Sequence, residues 1–375
     1  MSQLFSRTDR SLVSRWWWTV DRPLLIMLLI MMASGLVMVS AASPAVATRI
    51  GLDEYHFIKR HIFFLMPSLG ALLFFSFLPL QWVRRFATLL CIGALFAVFI
   101  TLIAGSEIKG AQRWLHIFGF SIQPSEFLKP AFLMVSAWLL ARQKQDETFP
   151  GNRAAAGLFA ISLILLVMQP DMGMATLMTA SWASQIFLAG LPFFWIIVIG
   201  VAGLLSLLSA YFFMPHFQDR MNRFLFPEDS DTYQIDRAME AYSKGGVTGV
   251  GPGEGTIKQT IPDAHADFVF AVAGEEMGLI FLLFLIGLYG FFVLRVLARI
   301  RSSENMFVVL AAGGLVTMFG LQSFIHMGAN LHILPTKGMT LPFISYGGSS
   351  VVALGIAMGM LLGVLRHSND KGQQP

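Results

Sequence analysis

Charge is scarce in this chain. Asp, Glu, Lys and Arg make up 13% of its 375 residues, against 55% hydrophobic residues and a mean hydropathy of +0.67. A typical soluble domain carries about 25% charged residues, so that class is excluded. Cysteine is scarcer still. Cys91 stands alone inside an apolar run, which rules out a disulfide framework and a cysteine metal site and leaves a small buried hydrophobe. The glycine run Gly245–Gly255 lacks the GK[ST] ending of a phosphate-cradling P-loop and follows no strand pattern. No clear internal repeat marks the chain as one of the repeat-built secondary transporters.

Long apolar runs are abundant. Ten approach the roughly twenty residues needed to cross a bilayer: Pro23–Ser43, His61–Leu80, Phe86–Gly105, Phe127–Ala141, Ala155–Met168, Gly173–Gly190, Pro192–Met214, Asp267–Val293, Phe307–His326 and Ser350–Leu365. The expected fold is an all-α polytopic integral membrane protein of about ten transmembrane helices. Its organisation reads as a cytoplasmic segment 1–22, one transmembrane domain 23–365 and a cytoplasmic tail 366–375. A large outer loop, 215–266, separates spans seven and eight. Segments on the N-terminal side hold the excess of Lys and Arg, including Arg84, Arg85, Arg142, Lys144, Arg295, Arg299 and Arg301. Short cytoplasmic loops carry such an excess, so both termini are expected in the cytoplasm. The basic pI of about 9.3 then reports topology and gives no reason to invoke nucleic acid.

Polar chemistry collects on the opposite face. IPDAHADFVFAVAGEEMG puts Asp267, Glu275 and Glu276 at the start of and inside an apolar run, where carboxylates are costly unless they face a cavity or a partner. Read as helix from Asp267, the stretch places Ala271, Gly274 and Gly278 on the Asp267 stripe, Glu275 roughly 80° away and Glu276 on the opposite side. Asp267 is the candidate functional acid, and the two glutamates are expected to be structural. The segment Ser106–Lys129 offers Lys109, Arg113 and Lys129 beside Trp114 and Phe118, a mixture suited to a phosphorylated head group or to interfacial anchoring. Glu126 is also placed to neutralise Lys129. Gln322, His326 and Asn330 recur every fourth residue, as a cavity lining or an interhelical ladder. The Pro- and Gly-interrupted stretch Gly328–Ser350 marks non-helical backbone at membrane depth, which requires protein or a watery cavity around it. The long outer segment Pro215–Ala266 is expected to form a mobile lid over the site, an expectation motivated by its glycine run Gly245–Gly255. Gly355, Gly359 and Gly363 form a small-residue stripe for helix packing, within the chain or against a partner.

Five stretches, GAQRWLHIFGFSIQPSEFLK, QPDMG, YQIDRAMEAYSKGGVTGVG, IPDAHADFVFAVAGEEMG and LPTKGMTLPFISYGGSS, together resemble the SEDS family of bacterial envelope proteins, in the family's order and over most of the chain. The resemblance is closest to the family's cell-division branch. It implies a peptidoglycan glycosyltransferase that polymerises lipid II at the outer face of the bacterial inner membrane during septal cell-wall synthesis. It also implies a class B penicillin-binding protein transpeptidase and other divisome membrane proteins as partners. A lipid II flippase and a non-catalytic divisome scaffold remain the alternatives. Carried onto this sequence, the resemblance makes Asp267 the essential acid. Arg113, Lys129 and Lys337 match its basic positions; Gln322 and Ser349 are further candidate substrate contacts, and Asp171 joins the structural acids. No metal ligand set is expected, although Mg²⁺ or Mn²⁺ could assist at the diphosphate. Ala266 departs from the family pattern, which usually has Thr before Asp-Phe.

Overall fold

Prolines and short polar residues decide where the apolar runs begin. The Asp21 carboxylate accepts the Leu24 N–H at 3.2 Å and Pro23 fills the first turn of helix α2, Arg22–Arg49. Pro124 opens α5 (Pro124–Gln145), Asp171 caps α7 (Met172–Leu188) and Asn305 caps α12 (Met306–Asn330). The computed structural model describes residues 11–108, 111–117, 119–226, 232–335 and 338–368. Among the described residues, eight helices are long and apolar enough to cross a membrane: α2, α3 (His56–Phe77), α4 (Leu80–Ala104), α6 (Gly151–Met168), α8 (Phe193–Phe213), α11 (Val269–Arg301), α12 and α13 (Gly348–Leu365). Helices α5 and α7 run among them. The first carries Glu126, Lys129, Arg142 and Lys144, and the second has 17 residues. Each of the ten expected spans falls on one of these ten helices.

Three shorter helices among the described residues lie outside the spans: α1 (Leu12–Thr19), α9 (Pro215–Leu225) and α10 (Tyr233–Gly245). The segment between α4 and α5, expected as loop, folds instead into a small antiparallel sheet in the order β1 (Ser106–Ile108), β2 (Ala111–Ile117), β3 (Phe120–Ile122). Leu115 pairs with Ile122 and His116 with Ser121. Pairing satisfies backbone groups that a loose loop at the membrane boundary would leave exposed.

Bundle packing is closest where side chains are smallest. In α13, a Cβ on Gly355 would lie 2.3 Å from the Ser68 carbonyl, and one on Gly359 or Gly363 would lie 2.7 Å from the carbonyls of Leu72 and Phe75. The glycine stripe is therefore spent inside the chain, against α3, where Ser68 Oγ also donates to the Val351 carbonyl at 2.7 Å. Phe132, Phe270, Phe292, Phe307, Phe319 and Phe343 fill the centre.

Two expectations about the region before α11 are overturned. Asp267 does not head a helix: it lies in a series of turns, and α11 starts at Val269. The helix also breaks at Gly278, whose φ of 74° is left-handed. Glu275 and Glu276 both grip the loop 253–258, in keeping with the structural role expected of them. Glu275 accepts the N–H groups of Thr256, Ile257 and Lys258 at 2.7, 2.8 and 3.0 Å, while Glu276 accepts the Gly253 N–H at 3.0 Å and pairs with Lys258 at 2.5 Å.

The same contacts revise the lid. Val250 N–H donates to the Glu275 carbonyl, Gly251 N–H to that of Glu276, and the Leu279 and Ile280 N–H groups return to Gly246 and Val247. A Cβ on Gly249, where φ is 81°, would lie 2.1 Å from the Glu276 carbonyl. The glycine run is thus knitted into the break in α11. Gly245 and Gly249 serve close approach of backbone to backbone, whereas Gly246, Gly251 and Gly253 have room for a side chain but lie at left-handed φ of 56°, 114° and 87°.

Candidate functional site

The residues before α11 are held by hydrogen bonds on their main chain, which lets their side chains turn toward a cavity. Asn330 Nδ2 donates to the Asp267 carbonyl at 2.8 Å, Ser345 Oγ to the Ala266 carbonyl at 2.7 Å, and Tyr346 N–H to the His265 carbonyl at 2.9 Å. Helix α12 and the non-helical stretch 338–347 together clamp the turn. Gly338, at φ 61°, lies beside the acid, where a Cβ would make ordinary contact with Asp267 Oδ2 at 3.4 Å. The left-handed backbone, more than the space, is what favours glycine at 338.

Asp267 faces a cavity of about 490 Å³ whose wall also includes Arg60, Arg113, Gln123, Glu126, Asp171, Arg220, Asp263, His265, Gln322, Thr340, Tyr346 and Ser349. A second polar cavity of about 270 Å³ shares Asp263, Asp267, Arg220 and Gly338 with it and adds Asp219 and Arg223 from α9. A third, of about 340 Å³, is mostly apolar, lined by Leu207, Met214, Phe217, Met221, Leu334 and Pro335, with Arg113 and Arg220 on its edge. Arg220 borders all three.

Arg113 is aimed from β2. Its guanidinium donates to the carbonyls of Gln169 and Pro170 and lies 3.7 Å from Asp171. Asp171 in turn caps α7 through the Met174 N–H and accepts from Gln123 Nε2 at 3.3 Å. Ser349 Oγ accepts the Gln123 N–H at 3.1 Å, joining α13 to the start of α5. Asp171 and Ser349 therefore brace the wall that holds Arg113.

Lys129 lies behind the cavity wall, 2% exposed. Its ammonium is 2.9 Å from Glu126 and 3.1 Å from Gln322 Oε1, and Gln322 Nε2 donates to the Thr340 carbonyl at 3.0 Å. Glu126 and Gln322 line the cavity, so Lys129 reaches it through them. His326 Nδ1 is 2.6 Å from the Met339 carbonyl and also holds the 338–340 segment. Lys337 lies outside the described residues, between Pro335 and Gly338.

Burial tunes two groups beside the acid. The pKa of His265, whose ring packs against Phe57 at 4.0 Å between ring centres and a tilt of 32°, is lowered to about 4 by burial, with Asp263 opposing and Arg49 adding to the shift; the ring is neutral at pH 7. Arg220 is pulled below its usual value by burial and by Arg113, while Asp267 and Asp171 favour its charge. Among the described residues no group of three or more His, Cys, Asp or Glu is placed to hold a metal. A divalent ion here would depend on substrate oxygens to complete its shell.

Asp267, Arg113, Gln322 and Ser349 line one cavity, and Asp171, expected to be structural, lines it with them. The sequence reading missed Arg60, Asp263, His265 and Arg220. For Arg220 a signal existed: Asp219, Arg220 and Arg223 share one face of a short helix, and Phe217 and Met221 the other. That alternation belongs to an element dividing a polar cavity from an apolar one.

The fold and this site define a polytopic helical membrane protein with an acid and arginines gathered in a cavity at one end of its bundle. Residues 21–370 match the family model described as cell cycle protein, FtsW/RodA/SpoVE. The chain belongs to that family. It is 43% identical over 363 residues to a probable peptidoglycan glycosyltransferase FtsW of Caulobacter vibrioides, covering 96% of this chain and 93% of the relative. It is 33% identical to the protein of the same name from Aeromonas salmonicida, covering 91% and 89%. Among solved structures, a chain from work on the structural coordination of polymerization and crosslinking by a peptidoglycan synthase complex superposes with a TM-score of 0.76 at 26% identity, covering 94% of this chain and 99% of that one. A mutant of the Thermus thermophilus rod shape determining protein RodA gives 0.69 at 25%, covering 94% and 99%.

Proposed function

We propose that this chain is a peptidoglycan glycosyltransferase that polymerises lipid II into glycan strands for the septal wall. In this reading the cavity opens on the outer face of the bacterial inner membrane and both termini are cytoplasmic. The partners are a class B penicillin-binding protein transpeptidase and other divisome membrane proteins. The observation that carries the reading is the meeting of Asp267 with Arg113 and Arg220 in a polar cavity that adjoins an apolar one. Such a site suits a substrate with a diphosphate head and a hydrocarbon tail.

Glycosyl transfer from a lipid diphosphate needs a base for the acceptor hydroxyl and positive charge for the leaving group. Asp267 takes the proton as the acceptor oxygen bonds to the donor's anomeric carbon. The bond from that carbon to the phosphate oxygen breaks, and the diphosphate leaves with the electron pair. Direct attack inverts the anomeric configuration. Arg113 and Arg220 hold the diphosphate by paired N–H donors, with Lys337 as a further candidate on the same side. Lys129 acts through Glu126 and Gln322 and is a positioning residue. Glu275 and Glu276, both engaged by the 253–258 loop, are not available to carry protons as a flippase would require.

The test is polymerisation of lipid II by purified protein, alone and with its transpeptidase. Asp267→Asn should abolish polymer at unchanged expression and thermal stability, because the amide is nearly isosteric and a poor base. Full polymer yield from this variant would sink the assignment. Lipid II transport without polymer by the parent protein would favour a flippase, and neither activity would favour a scaffold.

A further inference from the structure

Three guanidinium groups gather at the end of the bundle remote from the cavity, where α4 begins and α5 ends. Arg84 lies over the Trp138 ring at 5.3 Å, Arg85 over Trp82 at 5.0 Å and Arg142 over Phe149 at 5.1 Å. Arg85 and Arg142 are near enough to Arg84 to act on it electrostatically. Each guanidinium thus rests a face on an aromatic ring, which leaves its N–H edges for another partner. Among the described residues none of the three side chains makes an ion pair or donates a hydrogen bond. One acid, Asp146, is within electrostatic reach of Arg142 but accepts from the Thr148 N–H and hydroxyl. Other arginines at this end are treated differently: Arg295 and Arg299 share Asp21 at 2.8 and 3.4 Å.

The apolar surface beside the cluster points to its ligand. Trp82, Leu89, Ile92, Phe96, Phe99 and Ile103 are all exposed and recur every three to seven residues along α4, which makes one stripe leading away from Arg85. Phosphate-binding edges at one end of a membrane-facing apolar stripe match a phospholipid in both halves.

We propose that Arg84, Arg85 and Arg142 bind the phosphate of an anionic phospholipid whose acyl chains lie along the exposed stripe of α4. Three arginines select for a headgroup with net negative charge, because a choline headgroup would bring its own cation into the cluster. Juxtamembrane basic residues each favour anionic lipid, and three acting together should give a preference of at least roughly tenfold. The site is independent of the glycosyl-transfer reading.

Native mass spectrometry of the full-length protein tests it, in a neutral detergent with equal amounts of phosphatidylglycerol and phosphatidylcholine of the same chain length. The parent protein should retain phosphatidylglycerol in clear excess. Arg84→Gln, Arg85→Gln and Arg142→Gln combined should abolish the excess while phosphatidylcholine retention stays the same. A comparator with equal charge loss, Lys144→Gln, Arg153→Gln and Arg301→Gln, should keep it. An equal fall in both triple variants would overturn the proposal in favour of diffuse basic charge. Displacement of the lipid by millimolar inorganic phosphate would overturn it in favour of a free-anion site. Arg85→Gln alone, at an exposed position, should lower the preference and serves if the triple variant does not fold.

Discussion

Replacing Glu276 by Gln tests whether the acids in the middle of α11 hold the structure or perform the chemistry. Glu276 is 1% exposed and Lys258 is 6% exposed. Their ion pair of 2.5 Å is backed by hydrogen bonds from the Lys258 ammonium to the carbonyls of Ala41 and Gly253 at 2.9 and 3.1 Å. The pair therefore ties α2 to the glycine run and to the break in α11. Removing one charge of a buried pair costs about 3–5 kcal/mol, because the other charge stays buried and uncompensated. Gln retains an oxygen that can accept from Lys258, and the two carbonyls remain, so about 2–4 kcal/mol is expected here.

Thermal unfolding in detergent, read alongside polymerisation of lipid II below the transition, separates the two roles. Glu276→Gln should unfold several degrees lower and keep most of its activity at low temperature. Lys258→Met should be destabilised similarly. The double variant should be less destabilised than the sum of the singles, since neither charge is then stranded. An unchanged transition with lost polymerisation would refute the structural assignment and move Glu276 into the reaction.

Arg220→Gln should lower the rate of polymerisation on the order of 10²-fold, as loss of one donor to a developing anion does; an unaltered rate would remove Arg220 from the site. His265→Gln reports on pH. The folded-state value of about 4 lies below the ordinary 6.5, so neutral His265 contributes stability that is complete above pH 6.5 and is lost as pH falls toward 4. The loss is bounded at about 3 kcal/mol, and the variant should show a flatter fall in melting temperature over that window. Gly355→Ala should destabilise by about 1–3 kcal/mol through overpacking against Ser68, and a neutral result in thermal unfolding would mean that α3 and α13 separate easily. Ser349→Ala should reduce polymerisation modestly by freeing the Gln123 main chain, with a smaller effect than Arg220→Gln in the same assay.

The long helices were legible because a bilayer imposes one demand, a sustained apolar run, that sequence displays directly. The site was legible only in part. Asp267, Arg113 and Gln322 lie in stretches whose polarity stands out against an apolar background. Lys129 stands out in the same way, yet its partners Glu126 and Gln322 place it behind the cavity, and Gln322 is 193 residues away in sequence. Helical periodicity also misled at Asp267, because a wheel assumes the helix it is meant to find. The turn 261–268 is held by Asn330, Ser345 and Tyr346, contacts that no local pattern contains. Gly245–Gly255 misled in the opposite direction. Glycine permits both a loose loop and a close backbone approach, and only the carbonyls of Glu275 and Glu276 decide between them.

Helix α9 links these elements to the chemistry. It has eleven residues, and its polar side chains turn toward the cavities while Phe217 and Met221 line the apolar one. A soluble helix of that pattern would bury its apolar face and expose its polar face. Asp219 and Arg223 follow that rule and stay exposed, while Arg220, at the edge between the two faces, is partly buried together with Phe217 and Met221. Arg220 sits on the boundary, where a diphosphate would meet its hydrocarbon tail. Moving its charge by one position should therefore do more harm than removing it. Arg220→Gln with Met221→Arg restores the charge but places it against Leu207 and Phe217, so it should polymerise no faster than Arg220→Gln alone and bind the lipid substrate less tightly. Recovery of activity in that double variant would show that the cavity needs only net positive charge and that the placement of Arg220 is immaterial.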